Sequence, residues 1–124
     1  MRRRILSMFL AILLVVAMSL PVFAHAYTEY VDYANEMVEV NARCGGSSCR
    51  ASTNTMSRAF VVDVSCTVYK NVDDEAVFEC HLNTDASQIS ASVSYNSYNM
   101  LAYLVTRHFA GGHQIYGAKV YPSE

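Results

Sequence analysis

Apolar and polar side chains alternate in two neighbouring segments of the chain. From Phe60 to Tyr69 and from Ala76 to Leu82, the even-numbered residues are apolar and most odd-numbered residues are polar. A period of two is typical of strands with one buried face. The residues between the two segments, 71–75, include three consecutive acidic side chains and are typical of a turn. The pattern therefore predicts an antiparallel hairpin whose even side chains face a core.

The register of this hairpin follows if its turn is centred on Asp73. The opposed pairs are then Cys66 with Cys80, Val68 with Phe78, and Val64 with Leu82. Opposed Cβ atoms lie ~4.5–5.5 Å apart, slightly farther than a disulfide requires, so a modest twist closes the gap. We therefore predict a Cys66–Cys80 disulfide, with Phe78 in the core and Glu79 on the opposite side.

The remaining cysteines, Cys44 and Cys49, flank the flexible sequence Gly45–Ser48. An even number of cysteines in a small exported domain indicates disulfides, so we predict a second bond between Cys44 and Cys49. The alternative is a zinc site formed by the four thiols, or with His81 in place of Cys80. The tight Cys-x-x-Cys ligand spacing is absent, which favours the disulfides.

The C-terminal part of the chain also predicts strands. Residues 88–95 alternate, and residues 98–110 are apolar on both sides, as in a central strand. Gly111 and Gly112 then predict a two-residue hairpin turn, which places Tyr103 opposite Val120. A three-residue loop, 110–112, is an alternative that would change this register.

Short strands without a convincing helix predict an all-β fold, a small antiparallel β-sandwich or partly open barrel stapled by two disulfides. We expect a strand near Met37–Arg43. Residues 27–35 fit either a helix or a strand, and residues 50–58 fit either a loop or a short edge strand.

The N-terminal segment has the order of a secretory signal peptide. Arg2–Arg4 precede an uncharged run to Ala24, which Pro21 interrupts before the small residues Ala24 and Ala26. We predict cleavage after Ala26, or alternatively after Ala24, which leaves residues 27–124 as a single small secreted β domain. An uncleaved membrane anchor is the alternative, because about 20 uncharged residues can span a bilayer. The segment resembles signal peptides of Gram-positive bacteria, and the chain is similar to small exported proteins of such bacteria.

Removal of the signal peptide changes the charge of the protein. The whole chain has nine Lys/Arg and eleven Asp/Glu, and three of the basic residues are Arg2–Arg4. Residues 27–124 therefore carry six basic and eleven acidic side chains, a net charge of −5. This sign opposes binding to nucleic acid or anionic lipid. We expect an extracellular protein without a stable membrane anchor.

No sequence motif indicates catalysis. The chain lacks a Gly-x-Ser-x-Gly elbow, a phosphate-binding loop and a dinucleotide fingerprint. His108 and His113 share a face in the predicted hairpin, but no third metal ligand is evident. The acidic residues 73–75 are interpreted as a solvated turn rather than a calcium site. We therefore expect no enzymatic activity, metal or cofactor.

Tyrosine is the most suggestive residue type. All nine tyrosines lie after residue 26, and five occur near the last three predicted strands, at positions 95, 98, 103, 116 and 121. Tyrosine is enriched in binding patches, although it is also a common strand residue. We take Tyr95, Tyr98 and Tyr116 as candidate binding residues. The predicted function is a secreted interaction module of a bacterial cell that binds a protein or glycan; the alternative is a secreted bacteriocin-like effector.

Overall fold

Nine β-strands make up the described part of the chain, which covers residues 22–23, 26–84 and 86–122 of this computed structural model. Their bounds are β1 Val22–Phe23, β2 Ala26–Tyr33, β3 Glu36–Cys44, β4 Ser48–Thr55, β5 Val62–Val72, β6 Glu75–Asn83, β7 Ser90–Asn96, β8 Leu101–Ala110 and β9 His113–Val120. No helix occurs within these residues. The predicted all-β class is confirmed.

The strands form two sheets that pack face to face. The five-stranded sheet has the order β1-β9-β8-β5-β6, and the four-stranded sheet has the order β2-β3-β4-β7. All pairings among β2–β9 are antiparallel, whereas β1 runs parallel to β9. Residues 1–21 and 24–25 of the predicted signal peptide lie outside the described residues, while Ala26 is the first residue of β2.

The core lies between the sheets and consists mainly of β-branched and leucine side chains. Its largest fully buried apolar members are Leu101, Leu104, Val38, Val40, Val62, Val64, Val68 and Val120. Each such side chain contributes about 1.5–3 kcal/mol when it leaves water. The predicted strand near Met37–Arg43 lies within β3, and residues 27–35 form β2 and its turn. The polar segment from Arg50 belongs to β4, which is an inner strand between β3 and β7 and not an edge.

The predicted register of the β5–β6 hairpin is wrong. The chain reverses at Asp73 and Asp74, whose φ angles are 50° and 65°, so Val72 pairs with Glu75. A turn of this kind requires a positive φ at both central residues, and aspartate tolerates that conformation better than most side chains. The hairpin centre therefore falls between the two aspartates and not on Asp73.

A β-bulge in the same hairpin displaces the register again. Between the pairs Tyr69–Phe78 and Val68–Cys80, one extra residue, Glu79, is inserted in β6. Cys80 consequently opposes Val68, and Cys66 opposes Leu82. The predicted direct opposition of Cys66 and Cys80 is wrong, because these two cysteines lie on a diagonal of the ladder.

The displaced register also reverses the expected positions of Phe78 and Glu79. Phe78 opposes Tyr69 outside the core and is 57% exposed. Glu79 is half-buried, and its carboxylate accepts hydrogen bonds from Tyr95 and Ser97 at 3.2 and 3.1 Å. A one-residue change in register moves a side chain to the other face of its strand, which explains both errors.

The predicted turn of the β8–β9 hairpin is confirmed. Gly111 and Gly112 have φ angles of 55° and 80°, and Ala110 pairs with His113, so the two-residue turn is correct and the three-residue loop is not. A bulge between His108 and Phe109 then shifts the pairing by one position. Val120 therefore opposes Leu104, and the predicted pairing of Tyr103 with Val120 is wrong.

Candidate binding surface

The outer face of the five-stranded sheet carries a row of aromatic side chains. Tyr69 on β5 pairs with both Phe78 on β6 and Tyr103 on β8, and Tyr121 follows directly after β9. Tyr69 and Tyr103 directly follow or precede the buried residues Val68 and Leu104, so their side chains lie on the opposite side of their strands. We call these four residues and Lys119 the aromatic row. It crosses the sheet from the β6 edge to β9.

The rings of the aromatic row stack on one another. The Tyr69 and Tyr103 centroids are 4.5 Å apart with an interplanar angle of 28°, and Phe78 meets Tyr69 edge to face at 6.0 Å. Lys119 Nζ lies 4.0 Å from the Tyr103 centroid and 5.3 Å from that of Tyr121. Tyr103 is therefore covered on both faces, by a ring on one side and an ammonium group on the other. Such pairs contribute about 0.5–1.5 kcal/mol each.

The β6 bulge is the local feature that assembles the row. On the turn side of the bulge Phe78 points outward beside Tyr69, whereas Cys80 on the other side of it points inward. Without the extra residue, both could not occupy these positions. Bulges often re-aim side chains next to functional sites.

A groove continues the same face beyond the aromatic row. It has a volume of about 710 Å³ and includes Asp63, Ser65, His81, Asn83 and Arg107 among its lining residues. His81 contacts two of these polar residues. Its Nε2 lies 3.2 Å from both the Ser65 hydroxyl and Asn83 Oδ1. The groove therefore places hydrogen-bonding groups next to the aromatic row.

The Ser65–His81 contact differs from a catalytic serine–histidine pair in its third member. The Nδ1 atom of His81 lies 3.0 Å from the Thr67 hydroxyl, where a Ser-His-Asp triad places a carboxylate. That carboxylate orients the imidazole and stabilises its charged form, and a hydroxyl does not supply the same charge. The arrangement is suited to donating and accepting hydrogen bonds with a bound group.

The three tyrosines predicted as a binding site do not share a surface. Tyr116 lies half-buried beside Tyr27 and His108, with ring centroids 5.4 and 6.1 Å away. The Tyr95 hydroxyl donates to Glu79 between the sheets, and Tyr98 is fully exposed in the segment between β7 and β8. Tyr103 and Tyr121 belong to the C-terminal group of tyrosines, but no local pattern in the sequence indicates their contact with Tyr69 and Phe78. The pairing of β5 with β6 and β8, and of β8 with β9, brings these four rings together.

A second cluster, the buried polar cluster, consists of Tyr27, Thr53, Thr106 and His108 between the two sheets. The Tyr27 hydroxyl lies 2.5 Å from Thr106 Oγ1 and 2.6 Å from His108 Nε2, and Thr53 Oγ1 lies 2.8 Å from His108 Nδ1. Both imidazole nitrogens are thus satisfied by hydroxyl groups. Burial lowers the pKa of His108 to about 4, so the ring is neutral near pH 7.

His108 and His113, which the sequence places on one face of the hairpin, differ in exposure. His108 faces the core and is fully buried, whereas His113 is exposed at the start of β9. In residues 22–23, 26–84 and 86–122, no group of three or more His, Cys, Asp or Glu side chains is placed to hold a metal ion.

The structure contains neither the predicted Cys66–Cys80 disulfide nor the predicted Cys44–Cys49 disulfide. All four cysteines are thiols and lie on the core side of their strands. Cys44 and Cys49 oppose each other directly across β3 and β4. Burial raises the pKa of Cys44 to about 11 and that of Cys49 to about 12, and it also raises the pKa values of Cys66 and Cys80. The reactive thiolate forms are therefore disfavoured in the folded chain.

Comparison with known proteins supplies no further constraint on these surfaces. Over the part of the chain that the structure describes, no helix is long and apolar enough to cross a membrane. No family model, curated protein or solved structure matches the chain.

Proposed function

We propose that this chain is a secreted, non-enzymatic interaction module of a bacterial cell, and that it binds a protein partner through the aromatic row. The observation that carries this proposal is the row itself. It leaves Phe78 57% exposed and Tyr121 39% exposed on one sheet face. Aromatic side chains are enriched in the central parts of protein interfaces, whereas a lone exposed ring needs no functional explanation.

The stacking of the rings favours a protein over a glycan. A sugar ring stacks on a free aromatic face, but both faces of Tyr103 are covered, by Tyr69 and by Lys119. The row thus presents ring edges and the Lys119 charge, together with the hydrogen-bonding groove around His81. The aromatic row and the polar groove beside it fit the usual composition of a protein interface, which has an apolar centre and a polar rim.

Export to an oxidising compartment would allow Cys44 and Cys49 to form a disulfide. The Gly45 amide donates to the Ser48 carbonyl at 2.7 Å, which makes the two cysteines a non-hydrogen-bonded pair of the ladder. Cα atoms at such positions are ~4.5 Å apart, within the range that a disulfide spans. We propose that this pair is oxidised in the secreted protein. Diagonal partners such as Cys66 and Cys80 have Cα atoms ~7–8 Å apart, so we do not expect a bond between these two cysteines.

Formation of this bond requires an oxidant. The two thiols lose two protons and two electrons, which pass to a disulfide of a thiol–disulfide oxidoreductase or of a small thiol. Because the folded thiols are weakly ionised, we expect oxidation before folding is complete. Intact mass measured without reductant should show the loss of residues 1–26, or 1–24, and of two hydrogen atoms. A mass that retains the first 24 residues, or an unfolded chain with four alkylatable thiols, would contradict these two parts of the proposal respectively.

The binding proposal is tested with labelled protein on a panel of bacterial cells. We expect Tyr103→Ala and Phe78→Ala each to weaken retention by about tenfold or more, because central aromatic residues dominate interface energetics. Tyr30→Ala is the matched control, since Tyr30 is an exposed strand tyrosine on the other sheet (62% exposed). Tyr98→Ala tests the sequence-based assignment and should bind as the unmodified protein does.

Treatment of the cells identifies the class of partner. Mild proteolysis of the cell surface should abolish retention, and soluble surface glycans should not compete. Retention that survives proteolysis and is removed by glycans would overturn the protein assignment. Unchanged retention by both aromatic-row variants would overturn the proposed surface itself.

A further inference from the structure

Two arginines oppose each other on the outer face of the four-stranded sheet. Arg43 on β3 pairs directly with Arg50 on β4, and both side chains are exposed. Like charges in directly opposed positions destabilise a sheet. Within residues 22–23, 26–84 and 86–122, neither arginine has a hydrogen bond or a salt bridge with its side chain. The pair is therefore an uncompensated positive site in a chain whose exported part has a net charge of −5.

The acidic group on β3 of the same face is engaged elsewhere. The Glu39 carboxylate accepts hydrogen bonds from Asn41 at 3.1 Å and from the Tyr30 hydroxyl at 3.4 Å. Glu39 and Arg43 are four positions apart, or ~13 Å along the strand. That distance exceeds the Debye length of ~8 Å at physiological ionic strength, so Glu39 does not neutralise the arginines.

A groove of about 620 Å³ adjoins the two arginines. Its polar lining includes Ser48, Ser92, Ser94 and Asn96, and it contains no acidic residue. Ser94 pairs with Arg50 across β4 and β7, so a hydroxyl group lies in the same row as the two guanidinium groups. The groove thus combines two guanidinium groups with neutral hydrogen-bond donors from serine and asparagine side chains.

We propose that this groove binds a phosphate-type oxyanion, held between Arg43 and Arg50. A guanidinium donates two parallel hydrogen bonds to phosphate oxygens, and two such groups on neighbouring strands match a tetrahedral anion. Serine hydroxyls complete the set of donors. No aromatic side chain lines the groove, so nothing stacks on a nucleobase. The ligand source is either free phosphate or a phosphodiester of a polymer, and both present the same oxygens.

The test is a titration of the secreted protein at constant ionic strength, in which NMR measures the backbone amide chemical shifts. The probes are inorganic phosphate, a glycerol phosphodiester, and chloride as a reference anion. We expect saturable shifts at β3, β4 and β7 with a phosphate probe but not with chloride. Arg43→Gln and Arg50→Gln should each weaken binding about tenfold, and Arg50→Lys should bind with intermediate strength because it keeps the charge without the fork.

Arg58→Gln is the matched control, because Arg58 is an exposed arginine in the segment between β4 and β5. It should bind phosphate as the unmodified protein does. Tighter binding of the phosphodiester identifies a polymer as the source, and tighter binding of inorganic phosphate identifies the free anion. The proposal is overturned by equal shifts with chloride, by no saturable shift with either phosphate probe, or by an equal loss in the control variant. It is independent of the aromatic row, so either proposal can fail alone.

Discussion

The structure holds two tyrosine clusters in opposite environments. In the buried polar cluster, the Tyr27 hydroxyl bonds to Thr106 and His108 with the ring inside the core. In the aromatic row, Tyr103 makes ring and cation contacts, while Phe78 is largely exposed. The first cluster joins the two sheets through buried hydrogen bonds. The second leaves apolar surface in water, which costs free energy. The proposed protein partner would recover this free energy by covering the surface.

The largest expected effect comes from removing the centre of the buried polar cluster. His108→Ala deletes a fully buried ring and leaves the Thr53 and Tyr27 hydroxyls with one partner fewer. We expect a loss of about 3–5 kcal/mol in the free energy of unfolding, because a cavity and unsatisfied polar groups add together. Urea denaturation measures it. A loss below about 1 kcal/mol would contradict the assigned role of the cluster.

Acid should weaken the buried polar cluster and leave the aromatic row unaffected. The groups facing His108 are Tyr27, Thr53, Tyr116 and the Ser52 carbonyl, and all are neutral in acid. The folded pKa of about 4 lies below the unfolded value of 6.5. Only the unfolded chain binds the proton between these values. The stabilising term is therefore complete above pH 6.5 and falls by about 3 kcal/mol as pH approaches 4.

The control for this pH dependence is His108→Gln, which cannot titrate in this range. Urea midpoints measured between pH 4 and 7 should vary less in this variant than in the unmodified protein. An identical pH profile for the two proteins would show that His108 does not carry the dependence.

A smaller effect is expected from a single hydroxyl. Tyr27→Phe keeps the ring but removes the oxygen shared by Thr106 and His108. We expect a loss of about 1–3 kcal/mol, the cost of leaving buried groups partly unsatisfied. Tyr30→Phe is the matched control because its hydroxyl is exposed and its bond to Glu39 is long, at 3.4 Å. Equal losses in the free energy of unfolding would show that the buried Tyr27 hydroxyl contributes no more than the exposed Tyr30 hydroxyl.

The smallest effect on stability is expected at the edge of the aromatic row. Phe78→Ala should cost less than about 1 kcal/mol, because the ring is 57% exposed and its described ring contact is with Tyr69. A core position, as the sequence pattern predicts, would cost about 3–5 kcal/mol. Thermal or urea unfolding therefore discriminates directly between the two registers of the β5–β6 hairpin.

Much of the strand content could be predicted because alternation is a local property. The valines at positions 62, 64 and 68 are buried as the pattern indicates, and Gly111–Gly112 forms the expected turn. The errors begin where one residue is inserted. Neither the turn at Asp73–Asp74 nor the bulge at Glu79 changes the apolar pattern. The predicted register therefore agreed with the pattern, although it differs from the register in the structure.

The candidate surfaces were less predictable, because each combines residues from strands that are distant in sequence. Tyr69 and Tyr103 are 34 positions apart and become neighbours only because β5 pairs with β8. Arg43 and Arg50 are near in sequence, but their isolation from carboxylates depends on what packs beside them.

By itself, the sequence determined that this chain forms strands, because period-two alternation and β-branched residues act over a few neighbouring positions. It also determined the glycine turn, since glycine adopts a positive φ without a steric cost. Only the tertiary structure decided which tyrosines are buried and which are displayed. That choice depends on bulges and on the pairing of distant strands, and a shift of one residue turns every following side chain to the opposite face.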